Sequence, residues 1–161
     1  MLKKCLTIAG SDSSGGAGVQ ADLKTFSALG TYGMSCICAL TAQNTQGVDK
    51  VENVSQAMIR GQLAAIYSDI VPDAVKTGML SCRETVETVA GFLESHNQAP
   101  LVVDPVMVAT TGARLLDEEA IISYKERLIP LATLVTPNIP EAEVLSGMAI
   151  HTEEDMKQAA E

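Results

Sequence analysis

Two periodicities run along the chain, and the points where one gives way to the other mark its elements. Leu6–Ala9 is an apolar run suited to a buried strand, and it stops at Gly10. A polar loop with Gly15, Gly16 and Gly18 follows. An amphipathic helix is predicted from about Ala17, with Val19, Leu23, Phe26, Ala28 and Leu29 on its apolar stripe and Gly30 as its stop. Met34–Leu40 is nearly continuous in apolar residues, as in a strand covered on both faces, and gives way to the polar Thr41–Thr45. A further strand is predicted over Val48–Val54, then a helix over about Ser55–Ser68 with Ile59, Leu63 and Ile66 inward. Ala74–Thr77 reads as a short strand leading into Gly78 and Met79. Ser81 and Glu84 stand at capping-box spacing before a helix presenting Val86, Val89, Ala90 and Leu93 on one face.

Leu101–Val103 is the next strand and runs directly into Asp104 and Pro105. A helix over about Glu118–Leu128 and a strand over Ala132–Thr136 follow. Pro140 suits a first helical turn, so Glu141–Leu145 is predicted helical and stopped by Gly147. A last helix opens at Thr152–Asp155 and runs through Met156 and Ala159 to Glu161. Strands alternating with helices imply an α/β fold: a mostly parallel sheet with helices on both faces. The size prior makes residues 1–161 one domain. A crossover helix exists to return the chain to its sheet, and no strand follows the last one, so the fold is expected to be incomplete at its C-terminal end.

Composition narrows the partners. With 47% hydrophobic residues but only 3% aromatic, the core must be aliphatic. A formal net charge of -9 argues against nucleic acid or an anionic membrane, which need clustered Lys and Arg. The apolar run after Met1–Lys4 is too short for a signal peptide, and no stretch is long enough to span a bilayer. Cys5, Cys36, Cys38 and Cys82 lack zinc spacing and read as reduced, buried residues, which points to the cytoplasm.

The glycine-rich loop between a strand and a helix reads as a ligand site, because glycines admit close backbone approach and a helix start offers amides to an anion. Gly16–Ala21 fits the short dinucleotide fingerprint, but the acid required about twenty residues on is replaced by Gln43 and Asn44. Neither Lys24 nor Lys76 follows a glycine as a Walker A lysine must. Ligands of open parallel sheets bind beyond the carboxyl ends of the strands. Those ends carry Asp12; Gln43 and Asn44; Lys76 and Thr77; Asp104; and Thr136, Asn138 and Glu141. Each has an ordinary alternative as a cap or turn residue: Asn138 suits a helix cap, Glu141 a helix start, Asp104 a turn with Pro105. Their convergence suggests phosphoryl transfer, with Asp104 and Glu141 holding Mg²⁺ directly or through water and Lys76 meeting a phosphate. The Gln43 amide carries both a donor and an acceptor, as pairing with an aminopyrimidine requires.

Gly10–Phe26, Ala39–Thr45, Lys76–Met79, Val103–Val106 and Thr136–Glu141 together closely resemble the hydroxymethylpyrimidine and phosphomethylpyrimidine kinases of thiamine synthesis, in the ribokinase superfamily. The resemblance covers essentially the whole chain. It implies a three-layer ribokinase-like sandwich and ATP- and Mg²⁺-dependent phosphorylation of 4-amino-5-hydroxymethyl-2-methylpyrimidine, then of its monophosphate. Gln43, Gly10, Asp22, Met79 and Val106 would bind the pyrimidine; Lys76, Thr136 and Asn138 would serve ATP and phosphate; Asp104 and Glu141 would serve the metal. Pyridoxal kinases share the first loop and rank second, because Gln43–Thr45 is similar to the pyrimidine branch. Proteins of this kind are often homodimers. The resemblance also places the catalytic cysteine in a second glycine-rich turn with no counterpart in residues 1–161. No catalytic base is therefore assigned, and this stretch alone is expected to bind a pyrimidine with little or no turnover.

Overall fold

The computed structural model describes residues 2–107, 116 and 118–160. Six strands form one sheet in the order β3-β2-β1-β4-β5-β6, comprising β1 (Lys4–Asp12), β2 (Tyr32–Asn44), β3 (Gly47–Asn53), β4 (Ala74–Thr77), β5 (Leu101–Val103) and β6 (Leu134–Val135). All neighbours are parallel except β2 and β3. The helices are α1 (Gly18–Ala28), α2 (Gln56–Asp69), α3 (Arg83–His96), α4 (Glu118–Ser123), α5 (Ile139–Ser146) and α6 (Glu153–Ala159).

Strand alternation sorts these helices onto the two faces. Leu6 and Ile8 of β1, Cys36 and Cys38 of β2, and Val75 of β4 point into the main core, where Ile59 and Leu63 of α2 and Val86, Val89 and Leu93 of α3 meet them. The intervening residues face the other way. A Cβ on Gly33 would run into Leu23 and Phe26 of α1, and Thr7 donates its hydroxyl to Asp22 on the same helix at 2.6 Å. The absent side chain at Gly33 thus lets α1 lie close against β2. As expected, all four cysteines are free thiols; Cys36 and Cys38 are buried, while Cys5 and Cys82 are half-buried. A hydrogen bond with Cys36, together with burial, pushes the Cys38 thiol well up, so it stays protonated.

β2 does two jobs. Its first part pairs with β1 up to Asp12 opposite Thr41, and its distal part pairs antiparallel with β3. The two strands therefore run on as a ribbon past the end of β1. Register shifts between Ala9 and Gly10 and between Ala42 and Gln43 mark where the ribbon bends.

Several local expectations give way to tertiary packing. The stripe of α1 fades at its end, with Ala28 and Leu29 exposed and no packing partner among the described residues reaching them to bury the last turn. No Ser81–Glu84 box forms: Cys82 holds the cap position of α3, and the Ser81 hydroxyl instead donates to Asn53 at 2.6 Å. The helix after Glu118 widens into a π-helical turn at Tyr124–Leu128 and tightens at Ile129–Leu131, where Pro130 cannot donate the next hydrogen bond. The strand expected over Ala132–Thr136 is reduced to two residues. α5 begins at Ile139, with Pro140 in its first turn, and stops at Gly147 in the left-handed conformation (φ 73°). α6 ends at Ala159; the expected end at Glu161 lies outside the described residues.

Candidate functional site

The glycine loop is built around a carboxylate supplied by the chain itself. Asp12, the last residue of β1, is buried, and its side chain accepts from the amides of Ser14 (2.8 Å), Gly16 (2.9 Å) and Ala17 (2.8 Å) and from the Ser14 hydroxyl. Burial alone would raise this carboxyl, but the Ser14 side chain and the amides of Ser14, Ala17 and Gly16 outweigh it and hold the group below its ordinary range. The amides expected to meet an external anion at the start of α1 are therefore taken, at Gly16 and Ala17, by Asp12. Gly18 closes the loop. Its positive φ (58°) and its contact with the Gly10 carbonyl leave no room for a side chain.

Above this loop lies a cavity of about 300 Å³, lined among others by Gly10, Asp22, Gln43, Met79 and Val106. All five residues expected around a pyrimidine thus share one wall-to-wall space. Lys76 and Asp104 line it too. The Lys76 ammonium donates to both oxygens of Asp22, at 2.9 and 3.0 Å, and lies 3.5 Å from Asp104. One cation thus sits between two carboxylates, and the floor of the cavity carries net negative charge. An ammonium has three donors, and here they are largely engaged.

The remaining expected residues lie apart from this space. Thr136 continues the ladder beyond β6, its amide donating to Val103 at 3.0 Å. Asn138 and Glu141 cap α5 reciprocally: Asn138 accepts from the Glu141 amide at 2.9 Å, and Glu141 accepts from the Asn138 amide at 3.0 Å. The other Glu141 oxygen accepts from the Met107 amide at 3.2 Å, which ties the start of α5 to the loop carrying Asp104 and Val106. Asn138 also borders a smaller, mainly apolar groove between α5 and α6. Among the described residues, no group of three or more His, Cys, Asp or Glu side chains could hold a metal ion, and no helix is long and apolar enough to cross a membrane.

Three residues important to this geometry escape sequence reasoning. Ser13 clamps the main chain of Gln43, accepting from its amide at 2.9 Å and donating to its carbonyl at 2.7 Å. The Thr41 hydroxyl lies 2.6 Å from the Ser11 carbonyl oxygen and 3.2 Å from Gln43 Oε1. Tyr124, fully buried in the π-helical turn, donates to the carbonyl of Gly78 at 3.0 Å, and Gly78 and Met79 form a cavity wall. For Thr41 a signal existed, since it stands two residues before Gln43 on one strand face. For Tyr124 there was none, because its partner lies 46 residues away.

Comparison with known proteins gives the family and the fold. The family model described as phosphomethylpyrimidine kinase matches residues 12–161. The hydroxymethylpyrimidine/phosphomethylpyrimidine kinase of Bacillus subtilis is 51% identical over 160 residues, covering 99% of this chain and 59% of the relative. The crystal structure of phosphomethylpyrimidine kinase from Clostridium difficile superposes with a TM-score of 0.93 at 54% identity, over 98% of this chain and 68% of that one. The pyridoxal kinase of Staphylococcus aureus, in complex with AMP-PCP and pyridoxal, gives 0.86 at 43% identity, over 99% and 57%. The chain spans between about a third and three fifths of the length of the curated relatives it matches.

Proposed function

This chain belongs to the phosphomethylpyrimidine kinase family, and we propose that it serves the ATP- and Mg²⁺-dependent phosphorylation of 4-amino-5-hydroxymethyl-2-methylpyrimidine, and then of the monophosphate, in thiamine biosynthesis. The observation that carries this reading is the meeting of Gln43, Gly10, Asp22, Met79 and Val106 in one cavity of about 300 Å³. That volume is at the small end for ligand sites and suits a single substituted ring. The Gln43 amide accepts from the exocyclic amine and donates to the neighbouring ring nitrogen. Gly10, Met79 and Val106 supply close, mainly apolar walls. Asp22 and Asp104, held by Lys76, present carboxylate oxygens to the polar substituents.

Thr136 and Asn138 face the ATP side in this proposal, and Lys76 turns toward phosphate only by giving up part of its contact with Asp22. Asp104 has an accessible carboxylate fit to hold Mg²⁺, whereas both Glu141 oxygens already accept amides, so Glu141 serves the ion through water. Bound there, the ion neutralises charge developing on the phosphates. No residue within 1–161 is assigned as the base for the substrate hydroxyl, since none of the four cysteines sits in a glycine-rich turn. The proposal takes residues 1–161 as one ribokinase-like domain of a cytoplasmic homodimer; the exposed Leu40 and Val51 of the β2–β3 ribbon support an interface.

Pyridoxal phosphorylation is the second reading, favoured by the likeness to the Staphylococcus aureus enzyme in complex with pyridoxal. Calorimetric titration of the hydroxymethylpyrimidine and of pyridoxal into the protein, with Gln43→Ala as control, separates the two. Saturable pyrimidine binding lost in the control supports the proposal. Preferential pyridoxal binding, or no pyrimidine binding by a cooperatively folded protein, overturns it; binding without turnover restricts this chain to recognition.

A further inference from the structure

The contacts of Thr41 bear on how Gln43 discriminates, and the argument rests on the pyrimidine reading above. A threonine hydroxyl has one proton to give. At 2.6 Å the Ser11 carbonyl is within short hydrogen-bonding range, so it takes that proton and leaves only lone pairs facing Gln43. An amide oxygen held against those lone pairs at 3.2 Å gains nothing, whereas half a turn about the Cγ–Cδ bond puts the amide nitrogen there as a donor. The carbonyl oxygen then points away from Thr41, and the edge of the amide offers its donor and acceptor in one fixed order.

That order matters to a ring pairing by two adjacent atoms. A 4-aminopyrimidine presents a donor amine beside an acceptor nitrogen. Its 4-oxo counterpart presents an acceptor oxygen beside an N–H. In the same pose the second ring meets oxygen with oxygen and N–H with N–H, and only a flipped amide would accommodate it. We infer that Thr41 is a positioning residue which sets the sense of the Gln43 amide and so makes the cavity select 4-aminopyrimidines over 4-oxopyrimidines. The Gln43 main chain is held separately by Ser13 at 2.7 and 2.9 Å, so loss of the Thr41 hydroxyl frees the side-chain amide without releasing the strand.

The test compares affinities of the protein for 4-amino-5-hydroxymethyl-2-methylpyrimidine and its 4-oxo counterpart in wild type, Thr41→Ser and Thr41→Val, each checked for cooperative unfolding. Wild type and Thr41→Ser are expected to prefer the amine by about 100-fold, the order by which a bidentate hydrogen-bonded pair discriminates against a mismatched base. In Thr41→Val the ratio falls at least tenfold, chiefly because the 4-oxo ring gains. General loosening of the site would lower both affinities and leave the ratio unchanged. An unchanged ratio in a folded valine variant overturns the inference, as does a collapsed ratio in the serine variant. Thr41→Ala carries the same expectation should the valine variant unfold. A folded wild-type protein that takes neither ring removes the pyrimidine assignment itself, and this inference with it.

Discussion

The carboxylate of Asp12 lies 2.8 Å from the amide nitrogen of Ala17, so the last residue of β1 caps the entry into α1 across five positions of chain. The group is more acidic in the folded protein than its ordinary value of 3.8, so on acidification the unfolded chain takes up the proton first. Its contribution to stability is complete above the unfolded value and is lost as pH falls through the folded one. Asp12→Asn should therefore cost stability at pH 7, by about 1–3 kcal/mol for orphaned or weakened amide contacts. The gap to wild type should close below about pH 4; urea unfolding across pH 2–7 checks this, and a gap constant over that range would refute it.

Gly10 and Gly18 should fail differently when replaced by alanine. At Gly18 the new methyl meets the Gly10 carbonyl oxygen, and φ is positive, so the backbone must strain. Gly18→Ala should lose roughly 3 kcal/mol or more of stability. At Gly10 the methyl crowds the terminal carbon of Met79, the free end of a flexible side chain, and its next contacts, with the Ala39 carbonyl oxygen and the Met79 sulfur, are at ordinary distance. Gly10→Ala should stay near wild-type stability while Met79 shifts into the cavity and pyrimidine affinity drops. Equal loss of stability in both variants would contradict this assignment.

Tyr124→Phe removes the one side-chain donor that the described residues place on the carbonyl of buried Gly78. The expected cost is about 1–3 kcal/mol in chemical unfolding. Because the Gly10 amide donates to the neighbouring Met79 carbonyl at 3.1 Å, the wall that Tyr124 braces should loosen and ligand affinity should fall as well. Unaltered affinity in the phenylalanine variant would make Tyr124 a packing residue alone.

Thr77 offers the opposite case. Its hydroxyl is fully buried and, among the described residues, without a hydrogen-bond partner. Thr77→Val keeps the shape and discards the desolvated oxygen, so stability should hold or rise by up to about 1–2 kcal/mol. A marked loss of stability would reveal a partner for that hydroxyl.

The sequence-derived rim residues that line the cavity are those whose place follows from position along an element. Gln43, Lys76 and Asp104 stand at strand ends in an open parallel sheet, and topology alone carries such ends to one rim. What sequence reasoning missed depends on competition between partners. Asp12 looked like one more rim carboxylate, yet the glycine loop that invites an anion had an internal one within reach. Asn138 and Glu141, read as phosphate and metal groups with a helix cap as the ordinary alternative, do make the reciprocal hydrogen bonds of a capping box. Ser81 had the right spacing for such a box at α3, but Asn53 on a neighbouring strand claims its hydroxyl. Spacing reports which bonds are geometrically open, and only the assembled fold decides among them.

The ribbon formed by β2 and β3 makes Gln43 the load on a cantilever. Its root is clamped in the sheet, where β1 grips β2 as far as Thr41. Beyond that fulcrum the beam is two strands thick, with the paired Ser13 hydrogen bonds as its stay at Gln43, and two strands alone are only marginally stable. Asp104 and Lys76, by contrast, stand on or beside the clamped strands. Any ligand spanning Gln43 and these two groups joins the full width of the sheet to a two-stranded extension of it, so the Ser13 stay sets how far Gln43 stands from the charged floor.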